Sequence, residues 1–470
     1  MLKQVLRVKG QGSLNYTKFS AMAVGSSDQI KPGVFEVNHG LVVRLALPMT
    51  LAYLSTPLLG LVDTAVVGRL GDPAIIGGLA VGSVIISLVF TTFNFQRSGT
   101  TGLAAQAVGT GDEKEKQAIF MRALLLAAVF GIATILLAPL LLTVGLWFMK
   151  PGEAVGNATQ TYFSIRVWST PFTLLNYAVL GWLIGLGRAG LALAVQTLLN
   201  GSNIVLSIAL GLGLGYGIAG VAWATVIAEI ITAGAGLLIC RNLMDKSIRP
   251  SRQRILDRSA LKRLINLNGD IMIRSFVLLL GFAFFTAQGA RLGELTLAAN
   301  AILMNFVMIA GYFLDGLATA AEQIVGRAVG AKHRPAFVRG VQLTFLWNGL
   351  LSLLLFALFY VAGGWLIDVM TTNEEVRDTA RAFLLFAALT PLTGFPAFQL
   401  DGIYIGATWS RVMSQMMVVS FVVYLLSWYG LLQSWGNTGL WLALHVFLLC
   451  RGITLGARLV PKMHQTFEAS

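Results

Sequence analysis

Six carboxylates fall inside stretches that are otherwise almost wholly apolar: Asp63, Glu229, Asp270, Asp315, Glu322 and Asp401. A charge at mid-bilayer costs about 2.5–3.5 kcal/mol on insertion scales, so such groups persist when paired, protonated or facing a cavity. Burial raises a carboxyl pKa and a nearby cation lowers it, so a cavity carboxylate can trade a proton for a cationic solute. Asp63 is the sharpest of the six. It lies in Leu61-Val62-Asp63-Thr64, six residues before Arg69. At 1.5 Å per residue this is about 9 Å inside the helix end. The same stretch holds Pro48 and Pro57, each of which removes a backbone hydrogen bond and permits a bend. A carboxylate that reaches the outer headgroups, or caps a neighbour, would leave the same trace.

Gln196, Asn200 and Asn203 follow i, i+4, i+7 spacing and share one helix face. Their amides can hold a water, a proton-linked network or a cation, or simply bond helix to helix. Thr225 and Glu229 are i, i+4 on the next span. The Thr225 hydroxyl can join that network or bond its own backbone, and Glu229 reads as a structural partner. Asp270 and Arg274 are i, i+4 and read as a self-neutralising pair. Asp315 and Glu322 are i, i+7 on one face, and with Asp401 they are the candidate second-half proton sites. Arg97 and Arg166 are candidate counter-ions.

The elements that must position these groups are membrane helices. The 470 residues are 56% hydrophobic and 12% charged, with mean hydropathy +0.75. A spanning helix takes about 20 apolar residues. Apolar runs predict twelve spans near 41–66, 74–108, 118–147, 158–187, 189–213, 216–240, 262–289, 295–330, 337–366, 376–407, 409–430 and 436–458. The second and eighth exceed one bilayer and should project beyond it. The sequence also repeats. Gly68-Arg69-Leu70-Gly71 returns in the second half of the chain as Ala290-Arg291-Leu292-Gly293. In nearly the same register, Ala107-Val108-Gly109 and Ile184-Gly185 return as Ala328-Val329-Gly330 and Ile405-Gly406. The expectation is an all-α membrane protein of two pseudo-symmetric six-helix bundles related by an axis along the membrane normal. Their bounds are a tail at 1–40, lobes at 41–240 and 264–460, a basic linker at 241–263 and a second tail at 461–470.

The net charge of +13 suggests nucleic acid until its distribution is mapped. With the N-terminus inside, cytoplasmic segments hold 26 of the 34 Lys and Arg residues, including eight in 241–263. Opposite loops carry Arg69, Lys150, Arg291, Arg377 and Arg381. This is the positive-inside bias, which puts both termini in the cytoplasm and removes nucleic acid from the expected partners. Cys240 and Cys450 have no metal-ligand spacing, and four scattered histidines offer no zinc pattern. There is no glycine-rich phosphate loop, so no metal and no cofactor is expected, and uphill movement would draw on an ion gradient. Residues 1–40 lack the apolar core of a signal peptide and read as a tail, or as an overextended start before Met22.

Several runs together carry a resemblance: Leu61-Val62-Asp63-Thr64, the stretch from Arg97 to Gln106, Asp270-Ile271-Met272-Ile273-Arg274, Leu314-Asp315-Gly316-Leu317-Ala318, and Leu400 to Ala407. Over residues 40–460 the chain resembles the multidrug and toxic compound extrusion (MATE) transporters, within them the DinF-like branch. The resemblance implies a cation-coupled antiporter of the inner (plasma) membrane, with two lobes forming a V. It implies that Asp63 is the proton-coupling site and that the first helix bends near Pro48. It places Gln196, Asn200 and Thr225 around that site. Where the family often has a second acid, this chain has Asn200, which favours protons over sodium. The branch is associated with hydrophobic cations and, in some members, with bile-salt or oxidative-stress tolerance.

The expected function is therefore export of amphipathic, cationic organic compounds in exchange for protons by alternating access. Expected partners are small organic substrates, protons (sodium as the alternative) and the lipid bilayer, and a monomer is compatible with this. A lipid-linked precursor flippase would share the repeats but commonly shows fourteen spans and a cationic cavity. An intramembrane enzyme would need a paired-acid site or a histidine–metal cluster.

Overall fold

The computed structural model describes residues 35–468, and the described residues form helices without a strand. Residues 1–34, most of the expected N-terminal tail, lie outside it. Among the described residues, twelve helical segments are long and apolar enough to cross a membrane. The first six are α1 His39–Gly68, α2 Pro73–Thr110, α3 Glu113–Met149, α4 Glu153–Gly185, α5 Ala189–Gly213 and α6 Gly217–Leu243. The second six are α7 Arg252–Arg291, α8 Glu294–Gly330, α9 Arg334–Met370, α10 Glu374–Gly406, α11 Ser410–Gly430 and α12 Gln433–Glu468. Large apolar side chains face outward where lipid would lie; Phe148 is 78% and Val361 83% exposed.

Polar caps start several of these helices. Asn38 Oδ1 accepts from Leu41 N, and Asp72 Oδ1 accepts from Ala74 N beside Pro73. Helix α1 runs unbroken through Pro48 and Pro57, which free the carbonyls of Arg44 and Tyr53. Much of the basic linker is helical: Arg252–Ile255 forms a single turn, and after a break at Leu256 and Asp257 the long helix of α7 begins at Arg258. The second tail is likewise helix up to Glu468, since Met463 and Phe467 still pack on the core and the Phe467 ring lies 5.3 Å from Phe337.

The repeated motifs land on equivalent places. Ala107-Val108-Gly109 ends α2 and Ala328-Val329-Gly330 ends α8, while Gly185 and Gly406 close α4 and α10. Packing repeats with them: α1–α5, α2–α4, α3–α4, α4–α6 and α5–α6 recur as α7–α11, α8–α10, α9–α10, α10–α12 and α11–α12. The reason is glycine. Gly181 and Gly185 on α4 sit against the backbone of Arg97 and Thr101, and their counterparts Gly402 and Gly406 on α10 sit against that of Ala318 and Glu322. Side chains there would hold the helix backbones apart.

The halves meet at one end. Val42, Leu45 and Met49 of α1, Leu103 and Ala107 of α2, Ile324 of α8 and Tyr404 of α10 share one buried cluster. Toward the other end each half has its own core, around Val67, Phe90 and Phe163 in the first and Phe285, Phe306 and Trp441 in the second. At the shared end the Ala-Val-Gly motifs face each other: Gly109 lies on the Arg327 carbonyl and Gly330 on that of Gln106. The end so closed is the one that carries the linker.

Candidate functional site

The first-half site begins where α5 changes winding. Its last two turns, Ser207–Gly213, are π-helical, a local unwinding often found at functional positions. That change aims Ser207 Oγ at Asp63 Oδ1, 2.8 Å away. The same hydroxyl lies 3.3 Å from Asn203 Oδ1, and Asn203 Nδ2 donates to Thr225 Oγ1 at 2.8 Å. Asp63 is 8% exposed and has no Lys or Arg within salt-bridge distance among the described residues. Arg166 is within electrostatic reach, but its guanidinium is engaged with Ser169 and stacks 4.8 Å over Phe90. A chain of neutral donors leading to a buried carboxylate can hold a proton in transit.

Gln196 and Asn200 form a separate strand of this polar face. Gln196 Nε2 donates to Asn200 Oδ1 at 3.1 Å, and Asn200 Nδ2 to Ser55 Oγ at 2.6 Å. Their destination is therefore α1 two turns from Asp63. Thr225 both joins the network and bonds its own backbone, at Val221 O. Glu229 has a partner in Asn176, at 2.5 Å.

The second half places three acids against three arginines. Asp401 Oδ2 accepts from Arg274 and from Arg451, the latter at 2.6 Å. The expected Asp270–Arg274 pair does not form: Arg274 reaches across to α10, and Asp270 accepts from Ser410 Oγ at 2.8 Å. A longer arginine arm finds a buried carboxylate, while Asp270 stays at the α7–α11 joint. Arg451 is 1% exposed, because α12 extends past it to Glu468. Glu322 is 3% exposed with Arg97 Nη1 at 3.9 Å, an ion pair between the halves. Asp315 lines a pocket with Phe282, Met308, Tyr312, Thr390 and Phe398, of about 620 Å³ including its mouth. Asp401 is thus structural in character. Removing it, as in Asp401→Ala, would leave two buried cations facing each other at a cost of about 3–5 kcal/mol. The expected result is a clearly lower thermal unfolding midpoint in detergent; an unchanged midpoint would contradict this role.

On the linker side, Arg254 pairs with Asp112 and, at 3.1 Å, with Glu115, and Arg122 also takes Glu115 at 2.6 Å. Burial works against ionisation of Asp112, yet the Glu115 backbone N–H and Arg254 together hold its carboxyl below the usual range. Sequence reading missed Ser55, which sits between Leu54 and Thr56, and Ser207, a single hydroxyl in an apolar run. The only signal for Ser207 was its i+4 step from Asn203.

The MatE family model matches residues 48–209 and 271–429. The chain is 37% identical over 422 residues to DNA damage-inducible protein F of Escherichia coli (strain K12), covering 88% of this chain and 90% of that one. It is 25% identical over 437 residues to the probable multidrug resistance protein NorM of Bacillus anthracis, covering 88% and 92%. Its fold is similar to that of an outward-facing multidrug resistance MATE family transporter of the MOP superfamily, with TM-score 0.79, 17% identity and coverage of 92% and 97%. A MATE structure in the bent conformation gives TM-score 0.80 at 18% identity, covering 91% and 96%. This multi-pass membrane protein therefore belongs to the MATE family of multidrug efflux transporters, and is not an enzyme.

Proposed function

We propose that the chain exports amphipathic, cationic organic compounds in exchange for protons, by alternating access between lobes 41–240 and 264–460. The observation that carries this is Asp63, a buried carboxylate bonded to one hydroxyl and, among the described residues, without a Lys or Arg in salt-bridge distance. With the basic linker in the cytoplasm, the closed end faces inward and the molecule is outward-open. Protonation of Asp63 from outside removes a buried charge and lets α1 bend about Pro48 and Pro57. The bend has a route to the closed end, because Tyr53 Oη and Thr319 Oγ1 lie 2.9 Å apart and Thr50 packs on Gly316. Release of the proton inside resets the carrier.

Asn200 in place of an acid leaves Asp63 the one carboxylate among the polar groups linked to it here, which favours a proton over sodium. The apolar, aromatic pocket beside Asp315 suits a hydrophobic cation, since concave apolar sites with few polar groups fix such ligands. One proton exchanged for one monovalent cation moves no net charge, so the pH gradient drives this export, and each pH unit is worth about 1.4 kcal/mol, about tenfold in concentration. The test is efflux of a cationic dye in inverted vesicles under an imposed pH gradient. Transport without sodium is expected. A strict sodium requirement would replace the proton, and no transport of any dye by correctly inserted protein would favour the flippase.

A further inference from the structure

The start of α7, the α10–α11 turn and the end of α12 enclose a groove on the linker face, of about 1010 Å³ including its mouth. Four cations line it: Lys262, Arg263, Arg411 and Lys462. Among the described residues none of the four has a carboxylate within salt-bridge distance. Their hydrogen bonds go to neutral acceptors. Arg263 Nη2 donates to Gln106 Oε1 at 2.7 Å and Thr408 Oγ1 at 3.3 Å, and Lys462 Nζ donates to Gln465 Oε1 at 2.8 Å. The single acid in the lining, Asp270, is bonded to Ser410. Arg122 and Arg254 of the same face are, by contrast, spent on Glu115 and Asp112.

The inner wall of this groove is apolar, with Leu267, Val412 and Trp409. The Trp409 indole is anchored by a 3.2 Å bond to Thr466 Oγ1. Tryptophan and arginine or lysine at helix ends mark the headgroup level of a bilayer. Basic pockets between helices at that level on the cytoplasmic side take anionic headgroups. A free phosphate would satisfy the cations and leave the apolar wall bare; a phospholipid meets both.

We propose that this groove binds the phosphate headgroup of an anionic phospholipid, with an acyl chain along Leu267 and Val412. Arg263 connects the groove to the junction of the halves, through Gln106 of α2. The test is native mass spectrometry of the full chain in detergent with equal phosphatidylglycerol and phosphatidylcholine. Preferential retention of phosphatidylglycerol is expected. The triple variant Lys262→Gln, Arg411→Gln, Lys462→Gln should lower that retention on the order of tenfold or more. A control triple with the same loss of charge, Arg188→Gln, Arg252→Gln, Arg334→Gln, should retain it. The single variants should each show part of the effect, so the test survives if the triple does not insert. Equal retention of both lipids, or equal loss in both triples, would overturn the proposal. Displacement of the lipid by excess inorganic phosphate would assign the groove to free phosphate instead.

Discussion

Asp63→Asn should reduce proton-driven dye efflux to the level of vesicles without the protein, while the protein remains inserted at normal yield. The two halves of that expectation have separate causes. Asparagine keeps an Oδ1 that accepts from Ser207, so the link from α1 to α5 survives. A neutral hydrogen bond in place of a charge-assisted one changes stability by only about 1 kcal/mol. The amide cannot release a proton at any physiological pH, so the coupling step has no substitute at this position. Of the second-half acids, Asp401 is held by Arg274 and Arg451 and Glu322 faces Arg97, which leaves Asp315 in its pocket as the remaining alternative. In the register of the Ala-Val-Gly repeat the position matching Asp63 in the second half is Phe284, so the chemistry is not duplicated although the scaffold is. Comparing wild type and Asp63→Asn under the same pH gradient, without sodium, measures this. Efflux that survives the substitution would remove Asp63 from the coupling role and point to Asp315 or Glu322.

Much of the scaffold was legible because its signals are local. Apolar runs bounded by charges located all twelve spans, and the repeated Ala-Val-Gly and Ile-Gly motifs marked helix ends that the structure places in equivalent positions. The polar face of Gln196, Asn200 and Asn203 followed from helical spacing alone. What spacing could not supply was direction across the bundle. Asn200 turns to Ser55 and Asn203 joins Asp63 through Ser207, two destinations for neighbours on one helix face. The π turn that aims Ser207 lies in Ser207-Ile208-Ala209-Leu210-Gly211, which reads as ordinary apolar helix. A π turn recurs at Trp428–Leu432, whose first residue matches Ser207 in the same register, so the repeat preserves a winding defect that composition hides. Arg274 failed the i, i+4 expectation for the same reason: an intrahelical partner is visible in sequence, and Asp401, on a helix far along the chain, is not.

Gly109→Ala should shift the molecule away from the state in which the linker side is closed, without weakening either half. A Cβ at Gly109 would overlap the Arg327 carbonyl oxygen, and one at Gly330 would overlap that of Gln106. Both contacts join α2 to α8, across the halves. Backbone against backbone leaves no flexible side chain to yield, so the helices must separate. Overpacking of this kind costs about 1–3 kcal/mol, which is on the order of tenfold to a hundredfold in population. Gly402→Ala makes the informative contrast. Its Cβ would overlap the Ala318 carbonyl, a contact between α8 and α10 within one half. The same steric cost then falls on folding, and the expected result is a lower unfolding midpoint with unchanged access to the closed end. Access is read by the reactivity of Thr50→Cys, on α1 against Gly316 of α8, in a Cys240→Ala, Cys450→Ala background. A membrane-impermeant thiol reagent applied from the linker side should label this position faster in Gly109→Ala than in Gly402→Ala or the parent. Equal labelling in all three would mean that the reciprocal glycine contacts do not set the closed state, and that closure rests on the Arg97–Glu322 and Tyr53–Thr319 contacts instead.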